Sequence, residues 1–169
     1  MVSMKTILSI ILLSFNVFAA SDLDGFWLNE KSYNNLEQAS LNELFYINGE
    51  QLNKPIYRRD LQLYKFMQAF IIGRNGIIIF DENIHAKFVA ALIDGKEKVR
   101  DQQERQELIH NHVAGARKNI KYHRPRVKKD GEDLILIYEY TSKENVRFIR
   151  ISEEVVETIL TNSDRPLVK

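Results

Sequence analysis

An α+β domain dominated by antiparallel β-structure is what this sequence predicts, and three observations predict it. Two apolar runs, Phe66-Met67-Gln68-Ala69-Phe70-Ile71-Ile72 and Ile77-Ile78-Ile79-Phe80, flank Asn75-Gly76. That dipeptide suits a hairpin turn, which needs positive φ at both central residues. Residues 120–151 read as three strands at short spacing, with Asp130-Gly131 as a turn, the pattern of an antiparallel meander. Between the two β-regions lies 84–118, where apolar residues recur at mostly helical spacing. Neither run of the hairpin alternates cleanly with polar residues, so both its faces should be covered and it should lie at the centre of the sheet.

The elements follow in order. Residues 23–28 form a first short strand around Gly25-Phe26-Trp27, the last being the single tryptophan. Over 29–44, Tyr33, Leu36, Ala39 and Leu44 recur every three or four residues, and Asn29 or Ser32 can cap the start, so this segment is expected to be helical. Phe45-Tyr46-Ile47 runs into a tight turn at Asn48-Gly49. Pro55 then confines its segment to a loop or a sheet edge, because proline cannot donate to a ladder. Residues 61–64 lead into the hairpin.

After the hairpin, Asp81 or Asn83 can cap a helix whose stripe is Ile84, Phe88, Ala91 and Leu92, with Gly95 at its C-terminal end. The rival is a strand over 90–93 turning at Asp94-Gly95. Residues 96–117 are very polar, with Val99, Leu108, Ile109, Val113 and two alanines to bury, which predicts a mostly solvated helix. Strands are expected over 120–127, 134–140 and 146–151, followed by a short helix capped by Ser152, with Glu153 and Glu154 favourably placed in its first turn.

Lys5, an apolar run over 7–18 and the small residues Ala19-Ala20-Ser21 have the layout of a secretory signal peptide. Residues 1–20 are therefore expected to be a signal peptide and 21–169 one globular domain, exported to a periplasm or to the outside. A membrane span needs about 20 apolar residues, and this run is interrupted by Ser9, Ser14 and Asn16, so no stable membrane anchor is expected. The chain has no cysteine, which excludes disulfides, thiolate metal sites and a cysteine nucleophile. Its 24 Lys and Arg against 23 Asp and Glu leave no net field to attract nucleic acid or an anionic membrane.

Three constellations invite chemistry. Glu82-x-x-His85 and Glu107-x-x-His110 have the spacing of di-iron helix bundles, but the chain has too many turn-bounded strands for four long helices. His110, His112 and His123 could hold zinc only if the fold gathered them, and residues two apart on a helix point to different faces. Arg117, Lys118, Lys121, Arg124, Arg126, Lys128 and Lys129 form a run of cations without an acid. Within it, Lys121, Arg124 and Arg126 are the candidate patch for an anion or an acidic partner, set against an ordinary solvated face. No nucleophile elbow, glycine-rich phosphate loop or zinc-protease motif occurs, so catalysis is the less expected outcome and no cofactor or metal is expected.

Asp24-Gly25-Phe26-Trp27 resembles the Gly-x-Trp opening of lipocalin-like (calycin) proteins, and the continuation through Tyr33 and Leu36 is similar to exported bacterial proteins of that type. The resemblance implies a barrel, closed at one end by Gly25, Trp27 and an arginine of the last strand, Arg147 or, preferably, Arg150. A cation over an indole face is a sound reason for that pairing. It also implies inward side chains, Phe70, Ile72, Ile78, Leu136 and Tyr138, lining a cavity, with Tyr138, Tyr140 and an arginine as polar groups. The expectation is non-catalytic binding of a small, partly apolar ligand; the alternative is a protein-interaction module using 96–129.

Overall fold

The structure is a computed structural model and describes residues 22–58, 63–96, 101–139 and 144–163. The expected signal peptide and Tyr140 lie outside them. Among the described residues, eight strands form one sheet: β1 (Gly25–Asn29), β2 (Leu44–Asn48), β3 (Gln51–Arg58), β4 (Leu63–Ile72), β5 (Ile78–Ile79), β6 (Pro125–Asp130), β7 (Asp133–Tyr138) and β8 (Val146–Ile151). Four helices accompany them: α1 (Glu30–Tyr33), α2 (Glu82–Lys96), α3 (Gln102–His123) and α4 (Glu153–Ser163). No described helix is long and apolar enough to cross a membrane.

Every ladder is antiparallel, in the order β5-β4-β3-β2-β1-β8-β7-β6. The two edges, β5 and β6, approach at a single bridge between Ile77 and Arg126. The sheet therefore curls strongly but does not close into a barrel, which corrects the closed form implied by the resemblance. β5 is too short to close it: it has two residues, and α2 begins at Glu82, so no length of strand remains to pair with β6.

Alternation along β1 separates two cores. Trp27 faces inward and joins Phe45, Ile47, Leu52, Ile72, Ile78, Val127, Leu134 and Phe148. Leu28 faces the other way and joins Leu44 and Ile151, which are covered by Val156 and Ile159 of α4. α2 packs on β3 and β4, and α3 packs on α2. The bidentate pair of Arg105 with Asp94, both contacts at 2.7 Å, ties the two helices together. Its strong hydrogen bonds hold the Asp94 carboxyl below its ordinary pKa.

Several expectations need correcting. The Asn75-Gly76 turn forms with φ of 59° and 75°, but its hairpin lies at the sheet edge, with Ile77 and Ile79 45% and 44% exposed. The helix expected over 29–44 is one short turn, α1, followed by two 3₁₀ turns at Leu36–Gln38 and Leu41–Glu43. Asn29 does cap α1, accepting from the Lys31 amide at 2.9 Å. Pro55 sits within β3, where pairing to β2 stops at Asn53, so its missing donor faces no ladder on that side.

α2 starts where Asp81 accepts the Ile84 amide at 2.9 Å, yet its buried line is His85, Val89 and Ile93, one residue on from the expected stripe. Gly95 lies inside α2 rather than beyond it. A β-carbon there would come within 2.1 Å of the Tyr57 carbonyl oxygen, so glycine is what permits α2 to lie against β3. Residues 120–123 continue α3 instead of opening a strand. Arg124, at φ 39°, ends the helix in the left-handed region, and β6 begins at Pro125.

Candidate functional site

The curled sheet leaves a cavity of about 390 Å³ on its inner face. Its strand-borne walls are apolar: Phe45, Leu52, Phe70, Ile78, Leu136 and Phe148, with Val127, Val146 and Pro125 between them. Antiparallel register puts them on one face. Leu52 pairs with Phe70, Ile72 with Ile78, Val127 with Leu136 and Pro125 with Tyr138, and directly paired residues point the same way. Phe45 and Phe148 meet edge to face at 4.8 Å.

The polar lining has a different origin. Asn42 and Glu43 come from the 3₁₀ turn before β2, and Asn119 and His123 from the last turns of α3, where Ile120 adds an apolar contact. Among the described residues, Lys54 and Tyr138 are the polar contributions from strands.

Lys54 is the unusual member. Its ammonium donates to the Asn42 carbonyl and lies 5.7 Å from the centre of the Phe45 ring. Part of the residue reaches solvent, but the ammonium is enclosed enough for lost hydration to bring its pKa from 10.5 to about 8, against the opposing pull of Glu43. The Glu43 carboxylate also accepts from the Ser32 hydroxyl. Burial raises the Tyr138 phenol above its ordinary value, so it stays neutral. The His123 ring stands edge-on to Tyr138 at 5.9 Å, and its Nδ1 is buried without a hydrogen-bond partner.

Of the residues expected to line a cavity, Phe70, Ile78, Leu136 and Tyr138 do so, while Ile72 is packed in the core beside it. Gly25, Trp27 and Arg150 are brought together. Trp27 is fully buried and donates from Nε1 to the Leu23 carbonyl at 2.8 Å. The Arg150 guanidinium lies 5.6 Å from the indole centre and donates to the Asp24 carbonyl. Gly25 leaves room for it, since a β-carbon there would fall 2.8 Å from the Arg150 Nε. Arg147 goes elsewhere, to Asp133 at 2.6 Å and Asp130 at 3.1 Å.

The basic residues do not share one strand face. Lys121 and Arg124 sit with Lys118 and the 66%-exposed Tyr122 around an open surface depression at the end of α3, whereas Arg126 lies in β6, 3.5 Å from Glu139. Glu82 faces outward to Arg117, while His85 is buried and its Nδ1 donates to the Ala69 carbonyl at 3.1 Å. Ala69 is the residue skipped in the β3–β4 register, and His85 satisfies a carbonyl at that irregularity. Loss of hydration lowers the His85 pKa, in keeping with a neutral ring among Phe70, Phe80 and Phe88. Among the described residues, no three acidic or histidine side chains gather as a metal site.

Lys54, His123, Asn42, Glu43 and Asn119 are absent from the residues expected at a cavity. For Lys54 a signal existed: it stands where Leu52 and Ile56 set an apolar alternation. His123 stood out only among the candidate zinc histidines and beside the cationic run, with nothing to place it at a cavity. No protein-family model, no curated protein and no solved structure matches the chain.

Proposed function

We propose that this protein is an exported, non-catalytic binding protein that holds a small, partly apolar ligand inside the curled sheet. One observation carries the proposal: a cavity of about 390 Å³ walled by aromatic and aliphatic side chains, with a few polar groups entering from one turn and one helix end. Binding sites for small molecules have that size and composition. At ~30 Å³ for each water-sized group, the space suits a ligand of about a dozen heavy atoms. The meeting of Gly25, Trp27 and Arg150, which the lipocalin-like resemblance implies, supports the same function.

The test is a ligand panel of medium-chain alcohols, acids and aryl compounds, read by thermal shift and by displacement of an apolar fluorescent dye. At least one class should bind saturably, and Leu136→Trp, which fills the cavity, should abolish binding while the protein stays folded. A panel without a single binder would overturn the proposal. It would favour a protein-interaction role instead, for which the exposed Tyr122 among Lys118, Lys121 and Arg124 is the supporting feature.

A further inference from the structure

Resting on that cavity-binding function, we propose that the ligand is an acid: a carboxylate held by Lys54 and His123, with its apolar body against Phe45, Phe70, Leu136 and Phe148. Three observations converge on it. The cavity lining is chemically divided. Its strands supply the apolar walls, and the 3₁₀ turn at Leu41–Glu43 and the end of α3 supply most of the polar groups. A guest that matches it has a polar group and an apolar body.

Within that polar lining, a cation is held without adequate compensation. An ammonium has three donors, and the Asn42 carbonyl takes one of those on Lys54. Glu43 is the acid that acts on it, but its carboxylate already accepts from Ser32, and its attraction does not offset the hydration that Lys54 has lost. A cation of this kind gains most from an anion that arrives with the ligand, because the desolvation has already occurred in the folded protein.

His123 supplies the third observation. Buried ring nitrogens almost always have partners, yet its Nδ1 has none and the residue lines the cavity. In the tautomer that carries its hydrogen on Nδ1, a turn of the ring toward the cavity lets it donate to one carboxylate oxygen and leaves the other to Lys54. Glu43, Tyr138 and His123 are the titratable groups that share the lining with Lys54. Of these Glu43 alone repels an anion, and Tyr138 is kept neutral. An amine-headed guest would be repelled by Lys54 and find Glu43 as its one acidic partner among the lining residues.

The experiment compares ligands with one chain and different heads: decanoate, 1-decanol, methyl decanoate and decylamine, each below its micelle concentration at pH 7, by calorimetry on the full-length domain. Decanoate should bind at least about tenfold more tightly than decanol or the ester, as charge-assisted hydrogen bonds require, and decylamine should be the weakest. Lys54→Met should remove the preference for the acid and keep decanol binding, and His123→Phe should weaken decanoate severalfold. Lys54→Gln serves as the second variant should Lys54→Met fail to fold, and the comparison of heads on the unaltered protein needs no variant. Equal binding of acid and alcohol, a preference for the amine, or an acid preference that survives loss of Lys54 would overturn the acid assignment and leave cavity binding intact. Failure of every head group would instead sink the binding function itself.

Discussion

Glycine-to-alanine substitutions offer a calibrated test of the close approach between the sheet's two edges. Gly76 sits at φ 75°, and a β-carbon there would stand 1.9 Å from the Val127 carbonyl oxygen of β6. Alanine in the left-handed region costs about 1–2 kcal/mol on its own. The clash adds to this, because backbone cannot yield as a flexible side chain can. β6 must retreat, loosening the Ile77–Arg126 bridge and the buried Val127, a packing distortion of about 1–3 kcal/mol. Gly76→Ala should therefore cost about 3 kcal/mol in urea melts, or a fall of about 6–12 °C in Tm for a domain of this size.

Two other glycines are internal controls. Gly131 has φ 63° but nothing within 4 Å of its β-position, so Gly131→Ala should show the backbone cost alone, about 1–2 kcal/mol. Gly115 lies exposed within α3, also in open space, and Gly115→Ala should stabilise by about 0.5–1 kcal/mol through helix propensity. If Gly76→Ala cost no more than Gly131→Ala, the turn would not abut β6 and the account of the nearly meeting edges would be wrong.

Lys54 makes stability depend on pH in a definite direction. Its pKa is 10.5 unfolded and about 8 folded, so between those values the unfolded chain binds more protons and stability rises with pH. Lys54→Met should be more stable than the parent at pH 7, by at most about 3 kcal/mol. The gap should narrow from pH 8 to 10, below the range where the upward-shifted Tyr138 contributes with opposite sign; a constant gap would mean that the ammonium is fully hydrated. Arg150→Met removes the cation over Trp27 and the donor to Asp24, and should cost about 1 kcal/mol. Trp27 should keep its blue-shifted emission and resist acrylamide, because the indole is fully buried; strong quenching in the variant would show that Arg150 seals the site.

Local chemistry was legible in the sequence. Asn75-Gly76 takes positive φ because few other pairs tolerate it, Asn29, Asp81 and Ser152 start helices because their side chains accept the first free amides, and the 125–151 meander follows from strand runs joined by short connections. These features depend on interactions between residues a few positions apart, and such interactions are present in the sequence itself. Gly25 and Trp27 share a strand face at spacing two, whereas the pairing of Trp27 with a late-strand arginine was an expectation of the resemblance alone.

Tertiary structure decided what depends on distant partners. α2 is apolar on more than one side, so the sequence alone could not choose between the line through Ile84 and the line through His85; a carbonyl at the Ala69 irregularity, 16 residues away, decides for His85 by accepting its Nδ1–H. The hairpin reads as central from its two apolar runs, but its place at the edge is set by β1 pairing with both β2 and β8. Lys54 and His123 are 69 positions apart in the sequence. They share a cavity because the sheet curls until β5 nears β6 and carries the end of α3 across its inner face. Curvature is a collective property of eight strands, a bulge and a short edge, and no single segment of the chain encodes it.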